Sequence, residues 1–286
     1  MDVMTLLLLY AAALVVVGSW NDIRTREVPD WLNFAAIAAA LGTRLIAALA
    51  SGDWSWLTIG LLGAGAAFLI ASAMFYLGQW GGGDSKMLIA LGALLGFEPR
   101  LESLGVTFFI NALLAGAVYG VLWSCWKAVR HRTAFVTELR KLLLHAPTRY
   151  AIRAAGIVTL AVLIATFFVS AGQVPLVLLG LLPPAFLILM LLIRAVERCC
   201  MLKRVAPHQL TEGDWIVKDV VVGGKRITGP SDLGISKAQI AQLVAFEQRG
   251  KMHSVLIKEG MPFVPTFLFA LLTTLVFGNV LLLLMA

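Results

Sequence analysis

Long apolar runs alternate with short polar ones along most of this chain, and the run lengths set the first expectation. A membrane crossing needs roughly 20 predominantly apolar residues. Residues 3–20, 31–50, 56–79, 104–126, 152–171, 175–196 and 262–284 approach or exceed that length. An eighth run, 84–97, is shorter; at about 1.5 Å per residue it reaches only about 20 Å, so it reads as a half-helix or as a span that continues into 98–103. The pattern predicts an all-α polytopic membrane protein with about seven to eight transmembrane helices.

The polar stretch 197–261 breaks the pattern and has signals of its own. Residues 215–222, then Gly223-Gly224, then Lys225-Arg226-Ile227-Thr228 predict a β-hairpin on a two-glycine turn. Ser236 with Gln239 three residues on predicts a capped helix to about 249, with Ile240, Leu243 and Val244 on one face and Gly250 past its end. Residues 254–257 add a short strand. In this reading the chain divides into a transmembrane domain over 1–196, a small α+β cytoplasmic segment over 197–261, and a C-terminal transmembrane helix over 262–286. The loop 127–151 is basic and partly amphipathic, with a break at Pro147.

Composition agrees: 60% of the 286 residues are hydrophobic and 14% charged, with a mean hydropathy of +0.89, which excludes an ordinary soluble domain. The first run has Asp2 before it and Arg24 and Arg26 after it. It therefore reads as a span, not a secretory signal, with the N-terminus outside. Carrying that orientation forward puts 22–30, 80–86, 127–151 and 197–261 in the cytoplasm and 51–55, 98–103 and 172–174 outside, where Arg100 is the one basic residue. The net charge of +7 then follows from topology and from contact with anionic membrane lipids, and nucleic-acid binding is not needed to account for it. Cys125, Cys199 and Cys200 all fall on the cytoplasmic side and are expected to stay reduced. His131, His145, His208 and His253 are scattered without ligand spacing, so no metal and no cofactor is expected.

Two carboxylates stand out. Asp84 follows three glycines in Gly81-Gly82-Gly83-Asp84-Ser85-Lys86, and Asp22 closes the first apolar run. An acid beside the membrane is costly and reads by default as functional. Two aspartates hydrolyse a peptide bond when one, ionised, activates water while the other, protonated, supplies a proton; like charges that close cannot both ionise, so the pair shares one. Gly81, Gly82 and Gly83 are expected to permit positive φ and to let a substrate backbone approach Asp84. The bland alternative is a glycine turn with an aspartate N-cap. The motif is not a phosphate-binding loop, because Lys86 follows Ser85 and precedes Met87.

With Asp22 and Gly81-Gly82-Gly83-Asp84 in place, the chain resembles the prepilin peptidase family of integral-membrane aspartyl proteases, marked by a first Asp after the first span and a second in G-x-G-D. Glu212-Gly213-Asp214, Gly234-Ile235-Ser236 and Lys258-Glu259-Gly260-Met261-Pro262-Phe263-Val264-Pro265 look like the archaeal preflagellin (prearchaellin) peptidases. The resemblance covers 10–97 and 210–275, while 104–205 is too generic to compare. It implies cleavage of the short basic leader of archaellin or type IV pilin-like precursors at the cytoplasmic face, with Asp22 and Asp84 catalytic. The paired cysteine motifs of the larger bacterial members are absent, so peptidase activity without N-methyltransferase activity is expected.

Other residues have both a functional and a plain reading. Lys86 either tunes the pair or simply flanks a span, and Glu27 and Asp30 either attract the basic leader or are ordinary loop acids. Arg44 is expected to snorkel outward, and Asn111 and Gln79 to bond across helices. Trp54 and Trp56 fit an outer aromatic belt; Trp20, Trp31 and Trp80 fit an inner one or a substrate entrance. Two further functions stay open. A protease of the presenilin or signal-peptide-peptidase type shares G-x-G-D, but here Asn21, not Tyr, precedes Asp22 and no Pro-Ala-Leu occurs. A secondary transporter would use such acids for ion coupling, with inverted repeats that the sequence does not display.

Overall fold

The structure, a computed structural model, describes residues 2–166, 168 and 173–285. The helices are α1 (Val3–Thr25), α2 (Asp30–Ser51), α3 (Ser55–Tyr76), α4 (Gly82–Leu95), α5 (Leu104–Arg130), α6 (Arg132–Leu144), α7 (Ala146–Thr166), α8 (Gln173–Cys200), α9 (Lys237–Gln248), α10 (Pro265–Phe277) and α11 (Val280–Met285). The strands are β1 (Leu202–Val205), β2 (Trp215–Ile216), β3 (Val220–Val222), β4 (Lys225–Thr228) and β5 (Val255–Lys258). Among the described residues six helices are long and apolar enough to cross a membrane, α1, α2, α3, α5, α7 and α8. One shorter apolar helix among the described residues, α10, adds to these. The protein is a polytopic, largely helical membrane protein with a small α+β part.

The chain packs as two compact units, one of residues 1–120, 206–253 and 260–286, the other of residues 121–205 and 254–259. At the centre of the first lies α4, packed against α1, α2 and α3. Its residues Met87, Leu88, Ala90, Leu91, Ala93, Leu94 and Leu95 are all buried, as expected for a helix that is apolar on every side. Small residues let α3 and α4 approach closely: a Cβ on Gly63 would collide with the Gly92 carbonyl, and one on Gly92 with the Gly63 carbonyl. From α10, Phe267 packs on Phe108 of α5.

The central helix is also short. Fourteen residues span about 21 Å, less than the roughly 30 Å of bilayer hydrocarbon, so its last carbonyls end inside the protein. Arg44 of α2 meets them. Its Nε donates to the Ala93 carbonyl at 3.0 Å and its Nη2 to the Leu94 carbonyl at 2.8 Å, while Nη1 donates to Trp56 at 3.1 Å. Arg44 is 1% exposed, so it does not snorkel. It faces inward because a helix C-terminus there lacks donors and carries partial negative charge.

The expected helix over 262–284 is divided into α10 and α11. Gly278 (φ 69°) ends the first, and the Asn279 side chain accepts from the Leu281 N–H at 3.1 Å to start the second. Asn111 of α5 stitches the break, donating to Thr274 Oγ1 and the Gly278 carbonyl and accepting from the Val280 N–H. This is the cross-helix role expected of it; Gln79 bonds only its own turn, at Leu77.

In the polar module over 206–253 the expected first hairpin strand, 215–222, is divided: Trp215–Ile216 is the separate strand β2 and only Val220–Val222 enters the hairpin. β3 and β4 pair antiparallel about Gly223 and Gly224, both at positive φ. Ser236 and Gln239 form the capping box of α9, and Leu243 is its fully buried residue. In the second unit the basic loop 127–151 is almost wholly helical. Phe135, Leu139 and Leu142 of α6 pack on Leu187, Leu191 and Ala195 of α8. The break falls at His145, the C-cap of α6, with Pro147 in the first turn of α7, where its missing N–H costs nothing. β1 pairs antiparallel with β5. The expected connection 172–174 begins at a residue outside the described ones. At the end of α8 Cys199 and Cys200 stand side by side with their sulfurs in contact. Cys125 is free.

Candidate active site

Asp22 lies in the last turn of α1, 6% exposed. Its carboxylate is held from a distant part of the chain, Oδ2 accepting from the Val264 N–H at 2.9 Å. The helix then stops. Arg26 takes a left-handed conformation (φ 60°), its N–H donates to the Asp22 carbonyl at 3.0 Å, and its Nη1 donates to the Gly260 carbonyl at 2.6 Å. A non-glycine residue in that conformation costs roughly 1–2 kcal/mol, which the surrounding contacts offset.

Asp84 arrives from the other side. The chain leaves α3 through Gly78 (φ 66°), where a Cβ would lie 3.4 Å from the Trp215 ring of β2. It then passes Trp80, whose indole packs on Phe263 at 5.5 Å and on Phe267 at 6.0 Å. Gly81 is extended (φ −72°, ψ 164°) as N-cap, and Gly82 begins α4. Asp84 reaches back to accept from the Gly81 N–H at 3.3 Å, half of a capping box. The N-cap is therefore Gly81 and not Asp84, which stands at the third helical position, and the Asp22 charge acts on Asp84. Two segments 62 residues apart in sequence, counted from Asp22 to Asp84, bring their carboxylates into one electrostatic site.

The glycine expectation needs correction in part. None of Gly81, Gly82 and Gly83 has positive φ; that conformation falls on Gly78, because Gly82 and Gly83 are already helical. Access is a separate matter. A Cβ on Gly81 would meet only Asp84 Oδ2, at 3.6 Å, and one on Gly82 only Phe75, at 4.0 Å, so open space adjoins the acid on this side. Gly83 is tighter, facing Val28 at 3.3 Å.

Lys86 points away from the pair. Its Nζ bonds Asp30 Oδ1 at 2.6 Å, tying α4 to the start of α2. Both side chains are well exposed, so the bond itself contributes little. Trp20 and Trp31 are exposed, as a belt requires, but Trp80 is 8% exposed and belongs to the aromatic core, because Phe263 and Phe267 offer it a closed apolar seat.

Two contributors escaped the sequence reading. Tyr119 of α5 lies within the fields of both Asp22 and Arg26. The segment 260–264 supplies the amide that holds Asp22. The flanking glycines were the available signal for Tyr119: Gly116 and Gly120 let α5 lie against Phe263 and Met261. Among the described residues no group of three or more His, Cys, Asp or Glu side chains is arranged to hold a metal; His208 is engaged by Glu247 at 3.0 Å.

Residues 8–121 match the model of the type IV leader peptidase family. No curated protein and no solved structure gives a match. The matching stretch runs from α1 into α5 and includes Asp22, Asp84, Lys86 and Tyr119. Over that stretch the chain is similar to the type IV leader peptidases.

Proposed function

We propose that this protein is an aspartyl endopeptidase that removes the short basic leader of archaellin or type IV pilin-like precursors at the cytoplasmic face of the membrane. Asp22 and Asp84 are the catalytic pair. The observation that carries the proposal is their meeting: one acid at the end of α1 and one at the start of α4, each accepting from backbone N–H, with the Asp22 charge acting on Asp84.

In this reading the pair shares one proton. The ionised carboxylate takes a proton from water as the oxygen attacks the scissile carbonyl, and the protonated carboxyl gives its proton to the carbonyl oxygen. Collapse of the tetrahedral intermediate returns a proton to the leaving amine and restores the pair. Gly81 and Gly82 leave room for an extended substrate beside Asp84, and the exposed acids Glu27 and Asp30 add attraction for a basic leader. Orientation rests on charge: Arg24 and Arg26 close α1 and Lys86 lies near the start of α4, which favours a cytoplasmic site and an external N-terminus. On the same reading 1–196 is the catalytic membrane domain and 197–261 a cytoplasmic segment. The chain works without an N-methyltransferase activity.

Co-expression with a candidate archaellin precursor, followed by N-terminal sequencing of the product, tests the proposal. The expected product begins just before the precursor's hydrophobic stretch; an uncut precursor, or a cut inside that stretch, would refute the assignment.

A further inference from the structure

The catalytic pair is assembled by only part of the chain, yet the Asp22 carboxylate is held by a residue far outside the matching stretch. Val264 N–H donates to Asp22 Oδ2 at 2.9 Å in a buried bond. The segment leading to Val264 is itself fixed to both carboxylate-bearing loops. At one end Arg26, four residues after Asp22, donates to the Gly260 carbonyl at 2.6 Å. In the middle the Phe263 ring packs on Trp80, the residue before Gly81, at 5.5 Å. Gly116 and Gly120 of α5 present no side chains to Phe263 and Met261, so the segment lies flat along that helix. Val264 is 0% exposed and lies against the Gly18 turn of α1, with its Cγ1 3.4 Å from where a Cβ on Gly18 would stand.

Resting on the aspartyl peptidase reading, we propose that Gly260–Val264 is a positioning element of the active site, with the Val264 amide setting the orientation of the Asp22 carboxylate toward Asp84. A carboxylate has two oxygens and rotates freely unless one is engaged. A buried N–H on Oδ2 restrains the group without adding a charge that would compete with the pair. Proline at 262 and 265 stiffens the segment on both sides of the donor. A packing role alone would need the Val264 side chain and not its N–H.

That difference is what the experiment reads. Val264 has φ −55°, already within the range of proline, so Val264→Pro deletes the N–H with little backbone cost, whereas Val264→Ala keeps the N–H and deletes packing. With full-length protein in lipid vesicles and a precursor peptide, Val264→Pro is expected to lower kcat by about 10- to 100-fold with KM within about twofold, the loss of one hydrogen bond to a charged group. Val264→Ala is expected to lower the melting temperature more than it lowers kcat, which falls by at most a few-fold. If Val264→Pro does not fold, an amide-to-ester replacement at Val264, which removes the N–H and keeps the side chain, takes its place with the same expected loss. Equal kcat for the alanine and the N–H-deleted proteins overturns the positioning role. Activity in Asp22→Asn would instead overturn the catalytic pair itself, a separate outcome.

Discussion

Arg44 decides whether the helix that begins with Asp84 is a rigid mount or a loose one. Its guanidinium donates three hydrogen bonds, to Ala93, Leu94 and Trp56, and two of these acceptors are terminal carbonyls of α4 in a place water does not reach. Replacing it by methionine, similar in length and without a donor, leaves two buried carbonyls short of a partner and removes a third bond at the part-buried Trp56 carbonyl. At about 1–3 kcal/mol for each unsatisfied group, less the desolvation of the cation that is no longer buried, a net loss of about 3–5 kcal/mol is expected. For a chain of this size about 1 kcal/mol corresponds to about 2–4 °C, so the melting temperature of detergent-solubilised Arg44→Met should fall by about 6–20 °C. Arg44→Lys separates the two roles this residue can have. A snorkelling cation is replaced by lysine at almost no cost, whereas the planar fork that reaches three carbonyls is not, and Arg44→Lys should lose at least half as much stability as Arg44→Met. Differential scanning fluorimetry on the three proteins reads this directly. Equal melting temperatures for wild type and Arg44→Lys, or a shift below about 2 °C in Arg44→Met, would refute the capping role.

Two further perturbations follow from the same geometry. Asn111→Leu removes the bonds to Thr274, Gly278 and Val280 and should cost about 2–3 kcal/mol, measured as a lower melting temperature; Thr274→Val, which removes only one of them, should cost less than half as much. In the polar module, burial works to raise Asp232 but is outweighed by bonds from Arg226 and the Gly229 N–H, so its carboxyl sits below the ordinary value of 3.8. A lowered folded-state value stabilises above the unfolded value and is lost as pH falls through the folded one. Amide protection over 219–239, corrected for intrinsic exchange, should therefore hold from pH 7 down to about 4 and weaken below it; Asp232→Asn should show weaker protection at pH 7 and little further change on acidification.

The sequence carried the local features well, for physical reasons that are local. A run of apolar residues predicts a membrane helix wherever it is long enough, Gly223-Gly224 demands a tight turn, and Ser236 with Gln239 satisfies a helix start within four residues. What escaped were features set by partners remote in sequence. Arg44 looked like an outward-facing cation because nothing in its neighbours says that α4 ends 50 residues on, beside it. Trp80 looked like a belt residue until Phe263 and Phe267 closed over it. The run 262–284 looked continuous because the break depends on Asn111, far away on α5. At the site, Asp22 and Asp84 were legible because acids beside apolar runs are expensive. The positive φ expected of the three glycines was misplaced, since a helix could begin at Gly82 once Gly78 had made the turn. Tyr119 and the Val264 amide were hidden for opposite reasons: a tyrosine in an apolar run is unremarked, and a backbone donor has no letter in the sequence.

The central claim is that Asp22 and Asp84 together cut the leader, and single-turnover cleavage in lipid vesicles tests it most directly. Purified wild type, Asp22→Asn and Asp84→Asn, each confirmed folded by its melting temperature, are mixed with an excess of enzyme over a precursor carrying a basic leader, and the products are identified by mass. The account predicts one cut before the hydrophobic stretch by the wild type and no cut above background, a loss of at least about 10³-fold, by either variant. Cleavage by a folded Asp22→Asn or Asp84→Asn at a rate near that of the wild type would contradict it.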